Sequence, residues 1–176
     1  MKKVDWKKLS DINLKDKVFL LPTDTIYGFS ALINDKKAVE KIKEIKKRNN
    51  KKGFIILISD ISDLEKFNIK LDNQKKEFLK KIWTESVSVV LEVKNQKFKY
   101  ISGDFDTLVF RIPKKRSLKS FIKKVGPIVS TSANVSGDKC IYKPEELNKK
   151  MKEKIDFYIN EGELKNPSSL IINFLR

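Results

Sequence analysis

The stretch GPIVSTSANVSG runs from Gly126 to Gly137. Its first half, GPIVST, reads as a short buried strand. From Ser130 onward it holds four hydroxyls, one amide, one glycine and no charge. A strand end built this way can aim backbone N–H groups, hydroxyls and the Asn134 amide at one point, which suits a polar ligand met without electrostatic bias. The plainer reading is an Asx- or Ser-turn into a loop. Strand ends are where sites form in open α/β sheets, so the rest of the chain decides between the two.

Working outward, short apolar runs recur. KVFLLP (17–22) is a β-compatible run closed by proline, and GFIILI (53–58) is a continuous apolar run, as expected of a strand buried on both faces. SVSVVLEV (86–93), TLVFRI (107–112), DFYIN and SLIIN are further strands. Between them, DKKAVEKIKEIKKR puts Ala38, Ile42 and Ile45 on one helical face, with Asn34 or Asp35 as cap. SLKSFIKKV is a helix turning Leu118, Phe121, Ile122 and Val125 inward, and PEELNKKM is a short helix with proline at its first position. Helices and strands mix, with some strands consecutive. The pattern predicts an α/β (or α+β) fold, a twisted mixed sheet flanked by helices, and not a strict βαβ repeat. No repeat, low-complexity block or linker divides the chain, so residues 1–176 are expected to form one domain.

Three more polar segments abut strand ends. PTDTIYG (22–28) offers two threonines and an aspartate after a buried strand; taken alone, it reads as a turn. KKRNNKKG (46–53) joins a helix to a strand. There Arg48 can grip phosphate in a bidentate fork and Lys52 can act as a point charge, although cations at a helix C-terminus also offset the dipole. In TLVFRI, alternation puts Arg111 on one face with Val109 and Thr107. A buried arginine needs a partner, either a protein carboxylate or a substrate carboxylate.

Composition narrows the chemistry. The 176 residues are 40% hydrophobic, enough for a real core. No apolar run approaches the ~20 residues of a membrane span, and MKKVDWKKLS has no apolar stretch behind its charges, so a cytoplasmic protein with no membrane contact is expected. The chain has no histidine and one cysteine, Cys140. That excludes Ser-His-Asp and Cys-His catalysis, the HExxH zinc motif and an internal disulfide. A metal held by carboxylates and phosphates stays open, which means magnesium rather than zinc. The formal charge of +16 favours anionic partners such as nucleotides or nucleic acid, unless the lysines serve only solvation. Neither GxxxxGK[ST] nor GxGxxG occurs, so a bound nucleotide would need another cradle.

In order, PTDTIYG, KKRNNKKGFIILI, FDTLVFRIP, STSANVSG and NPSSLII resemble the YrdC/TsaC-type threonylcarbamoyl-AMP synthases over nearly the whole chain. The family's Lys-x-Arg signature corresponds to Lys46 and Arg48, and its Ser-x-Asn signature to Ser132 and Asn134. The resemblance implies a mixed sheet with a large basic cleft. It implies synthesis of L-threonylcarbamoyl-AMP and pyrophosphate from L-threonine, bicarbonate or CO2, and ATP with Mg2+. The product would be used by the machinery that modifies tRNA next to the anticodon, and a tRNA or RNA contact is expected. By the same resemblance, Thr25, Arg111, Ser132 and Ser168 are the threonine contacts, with Arg111 on the carboxylate. Lys46, Arg48, Lys52, Thr107 and Asn134 are the ATP contacts, and Lys46, Arg48, Ser132 and Asn134 the catalytic set.

The chain departs from the family pattern in places. The usual Trp-Pro-Gly-Pro-x-Thr reads WTESVSVV here, from Trp83 to Val90, and the proline after Lys-x-Arg is Asn49. Soon after PSSLII the chain stops, so the distal nucleotide pocket is expected to be reduced to Arg176 or absent. Two other readings compete: an RNA-binding module of the same fold, and a carbamoyl-transfer domain acting on another substrate.

Overall fold

The computed structural model describes residues 1–47, 53–93 and 96–174. Among them, nine strands form one mixed sheet: β1 (Lys2–Lys3), β2 (Phe19–Pro22), β3 (Tyr27–Leu32), β4 (Ile55–Leu57), β5 (Val87–Glu92), β6 (Thr107–Arg111), β7 (Ile128–Ser132), β8 (Phe157–Tyr158) and β9 (Leu170–Asn173). Their spatial order is β1-β8-β2-β3-β7-β4-β6-β5-β9. Six helices accompany it: α1 (Trp6–Asp11), α2 (Lys36–Lys46), α3 (Asn73–Ile82), α4 (Lys99–Ser102), α5 (Arg116–Val125) and α6 (Lys149–Lys154). This is the mixed, helix-flanked sheet that the alternation of patterns predicts.

Where the sheet is covered, alternation sorts the side chains of the central strands into two cores. On one face Leu20, Phe29, Ile56, Phe110 and Val129 pack with Ala38, Val39, Ile42 and Ile45 of α2, Leu79 of α3 and Met151 of α6. On the other, Phe19, Leu21, Leu57 and Ile128 pack with Leu9 of α1 and with Leu118, Phe121 and Ile122 of α5. Each such fully buried large side chain contributes about 1.5–3 kcal/mol of transfer free energy.

Helix α2 begins where Asp35 accepts a hydrogen bond from the Ala38 N–H. It ends at Lys47, whose left-handed backbone (φ 48°) directs its N–H back to Glu44 O and Lys43 O. PEELNKKM is not one helix. Pro144–Glu146 forms a 3-10 turn, and Asn148 then caps α6 by accepting from the Met151 N–H. Strands β1 and β3, helices α1, α3 and α4, and the 3-10 segments Ile61–Phe67 and Gln96–Phe98 have no counterpart in the sequence pattern.

The second face is only partly covered. Helices α1 and α5 lie over Phe19, Leu21, Leu57 and Ile128. The register places Gly28 opposite Ser132, Ile55 opposite both Ser130 and Val109, and Arg111 opposite Leu57. These residues continue the same face past the two helices. The site forms there.

Tyr100 gives the fold a pH signature. Its hydroxyl donates to Ile33 O. Burial pushes its phenol up to about 12, and the Asp35 charge adds to the shift. A folded-state pKa above the unfolded value of about 10 contributes stability that is complete below pH ~10 and is lost as pH rises towards ~12. Ultraviolet difference titration should therefore show a tyrosine ionising near 12, and Tyr100→Phe should flatten the loss of stability across that window.

Candidate active site

The uncovered part of the second face floors a cavity of about 240 Å³. That is just under the size of drug-sized sites and suits a small metabolite or one end of a larger ligand. Six chain segments wall it: the β2–β3 turn, the first residues of β3, the span from Gly53 into β4, Arg111 at the end of β6, the end of β7, and Ser168–Ser169 leading into β9. Gly28 must be small there. A Cβ on it would stand 2.7 Å from Ser130 Oγ and 3.2 Å from Thr131 O.

The β2–β3 turn is organised by Thr23, whose Oγ1 donates to Ile26 O and accepts from the backbone N–H groups of Thr25 and Ile26. This leaves Thr25 against the cavity, its hydroxyl 3.2 Å from Arg111 Nη1, which donates to it. Arg111 is 4% exposed. Its Nη2 forms a 2.7 Å ion pair with Asp24 Oδ2. Asp24 Oδ2 also accepts from Ser86 Oγ at 2.7 Å, and the Asp24 carbonyl accepts from Asn166 Nδ2. Two buried atoms of this assembly, Arg111 Nε and Asp24 Oδ1, have no partner. On the β9 side, Ser169 Oγ lies 3.0 Å from Ser88 Oγ, a contact that ties the segment holding Ser168 to β5. Ser88 occupies the threonine position of the family's tryptophan motif.

The four residues assigned to threonine by resemblance, Thr25, Arg111, Ser132 and Ser168, all line this one cavity. The others are arranged differently. Lys46, at the end of α2, is 3% exposed. Its Nζ donates to Ser132 O at 2.6 Å, Asn134 Oδ1 at 2.8 Å, Asn134 O at 3.0 Å and Ser132 Oγ at 3.3 Å. Ser132 Oγ also donates to Asn134 Oδ1, and Asn134 Nδ2 to Asp138 O. The lysine of the first signature thus meets both named residues of the second, cross-linking α2 to the turn after β7. Thr107 is on the same sheet face as Arg111, four residues back along β6, about 13 Å at strand rise. It lines a second cleft of about 190 Å³ that shares Gly53 with the first. Arg48, Lys52 and Arg176 lie outside the described residues.

Asp24, Ser86 and Ser130 are site residues that the sequence reading did not single out. Asp24 stood inside a quoted motif, and the demand of a buried arginine for a carboxylate was the available signal.

A family model described as Telomere recombination, which groups Sua5, YciO and YrdC proteins, matches residues 11–175. The chain belongs to the Sua5/YciO/YrdC family. It is 28% identical to a threonylcarbamoyl-AMP synthase of Pseudoalteromonas translucida over 82% of this chain and 79% of the relative. It is 30% identical to a putative threonylcarbamoyl-AMP synthase of Methanocaldococcus jannaschii over 90% of this chain and 75% of the relative. Among solved structures, P. abyssi Sua5 complexed with L-threonine superposes with a TM-score of 0.84 at 24% identity, a likeness of fold. The alignment covers 99% of this chain and 54% of that one, so the chain spans about half the length of Sua5.

Proposed function

We propose that this protein is an L-threonylcarbamoyladenylate synthase, making L-threonylcarbamoyl-AMP and pyrophosphate from L-threonine, bicarbonate or CO2, and ATP. The observation that carries the reading is the convergence of Thr25, Arg111, Ser132 and Ser168, from four separate segments, on one small cavity. The relatives named as synthases, and the Sua5 complex with L-threonine, support the same reading.

In this reading the threonine carboxylate faces Arg111 and the substrate hydroxyl meets Thr25 and Ser132. The amine of threonine is its own nucleophile towards CO2. The carbamate oxygen then attacks the α-phosphate of ATP, and pyrophosphate leaves. No histidine and no covalent intermediate is needed. The protein contributes positioning and charge neutralisation. ATP would lie along the open sheet face towards Thr107, with its phosphates near the segment holding Arg48 and Lys52. Lys46 and Asn134 would shape the loop between the two substrates. Magnesium would enter with ATP on its phosphate oxygens. Among the described residues no group of three or more His, Cys, Asp or Glu side chains could hold a metal, so phosphate and water are the natural donors for the ion. The product would pass to the enzymes that modify tRNA in the cytoplasm, and the surplus positive charge would favour contact with tRNA. No helix among the described residues is long and apolar enough to cross a membrane.

The test is substrate dependence. Pyrophosphate release from ATP should require both L-threonine and bicarbonate. A pocket that hydrogen-bonds a hydroxyl rejects analogues lacking it more strongly than analogues lacking a methyl. L-serine should therefore turn over slowly, and 2-aminobutyrate more slowly still. An RNA-binding module would release no pyrophosphate under any of these conditions.

A further inference from the structure

Arg111 is the one charged side chain among the described residues lining the cavity. A bare guanidinium at the wall of a small pocket attracts any small anion. Here it is not bare. Asp24, itself absent from the lining, sits behind it with Oδ2 2.7 Å from Nη2. An anion in the cavity would therefore feel the attraction of Arg111 and, only slightly farther off, the repulsion of Asp24. A zwitterion brings its own positive charge and escapes most of that penalty. We propose that Asp24 is a specificity-determining residue: by cancelling most of the Arg111 field, it makes the cavity select a zwitterionic amino acid over the same carboxylate without its ammonium group. This rests on the amino-acid reading of the cavity given above.

Two further observations support the assignment. First, Asp24 is held in place. Ser86 Oγ donates to Oδ2, and Asn166 Nδ2 holds the Asp24 carbonyl. The Asp24 and Arg111 side chains are only 10% and 5% exposed, so water screens the pair weakly. Ser86 belongs to WTESVSVV, the segment where this chain departs from the family pattern, at a position where a proline would have no hydroxyl to donate. Second, the buried Arg111 Nε and Asp24 Oδ1 have no hydrogen-bond partner among the described residues, so the two side chains answer chiefly to each other. Both atoms are buried, so the pair acts on a ligand in the cavity through its field.

The experiment compares L-threonine with 3-hydroxybutyrate, which is threonine without its amine, by calorimetry on the full chain. Wild type should prefer threonine by about tenfold or more, equivalent to 1.4 kcal/mol. Asp24→Asn should weaken threonine by about tenfold and strengthen 3-hydroxybutyrate several-fold, so the preference collapses. A residue that only supports the fold would weaken both ligands in parallel. Ser86→Ala leaves the charge in place but loosens it; it should move the ratio the same way by about two- to threefold, with recovery in Ser86→Thr. That variant serves as the readout if Asp24→Asn does not fold. An unchanged ratio in these variants, with wild type still binding threonine, overturns the role of Asp24 and leaves the proposed function standing. A wild type that binds no threonine overturns both.

Discussion

Arg111→Ala is expected to weaken L-threonine binding by about ten- to a hundredfold, the loss of charge-assisted hydrogen bonds of about 1.5–3 kcal/mol. ATP binding measured without amino acid should stay nearly normal. The same variant should lose stability. It strands Asp24, whose carboxylate is 10% exposed and has no other cation among its described partners. Removing one partner of a buried ion pair typically costs about 3–5 kcal/mol, because the other charge stays buried and uncompensated. The double variant Arg111→Ala/Asp24→Asn separates the two effects. It should recover much of the stability lost in the single variant and none of the threonine affinity. Urea denaturation and calorimetry on the three proteins check this. Normal threonine binding by Arg111→Ala would make the arginine a structural partner of Asp24 alone and would remove the amino-acid pocket from this strand.

Lys46→Ala should have an effect of similar size by a different route. The ammonium donates to four oxygens of Ser132 and Asn134, and the side chain is buried. Truncation leaves several buried acceptors short of a donor, each worth about 1–3 kcal/mol if unsatisfied, so a stability loss of about 3–5 kcal/mol is expected after partial relaxation. The damage should also reach the cavity, since Ser132 lines it. Lys46→Ala should therefore weaken threonine binding as well as ATP-dependent turnover, whereas a lysine that contacted only nucleotide would leave threonine binding untouched. Lys46→Met, which keeps most of the stem, should recover part of the packing and none of the hydrogen bonding. Thermal melts with calorimetry for each ligand distinguish these outcomes.

The central sheet was legible because strands with covered faces must be apolar there, as GFIILI is throughout and TLVFRI is at Leu108 and Phe110. The same alternation placed Arg111 correctly, with Thr107 and Val109 on its face and Leu108 and Phe110 in the core. Strand β3 was not legible. YGFSAL carries glycine, serine and alanine where β-branched residues would announce a strand, and it pairs because β2 and β7 flank it on both sides. Helix α3 is mostly polar, with Leu79 its one buried residue, and so gave little periodic signal. Helix α1 is too short to show periodicity. In the site, the motifs named the segments but not their partners. Nothing local says that Lys46 will reach across 86 residues to Ser132, or Ser86 across 62 to Asp24. Those contacts come from the sheet order, which brings β3, β7, β4 and β6 side by side.

The most direct test of the central claim follows the carbon. The purified protein, incubated with magnesium, ATP, L-threonine and bicarbonate labelled with carbon-13, should yield threonylcarbamoyl-AMP one mass unit heavier than the product from unlabelled bicarbonate, together with pyrophosphate. Omitting threonine or bicarbonate should abolish both products. Pyrophosphate or AMP formed without threonine, or no labelled adenylate in the complete mixture, would contradict the account.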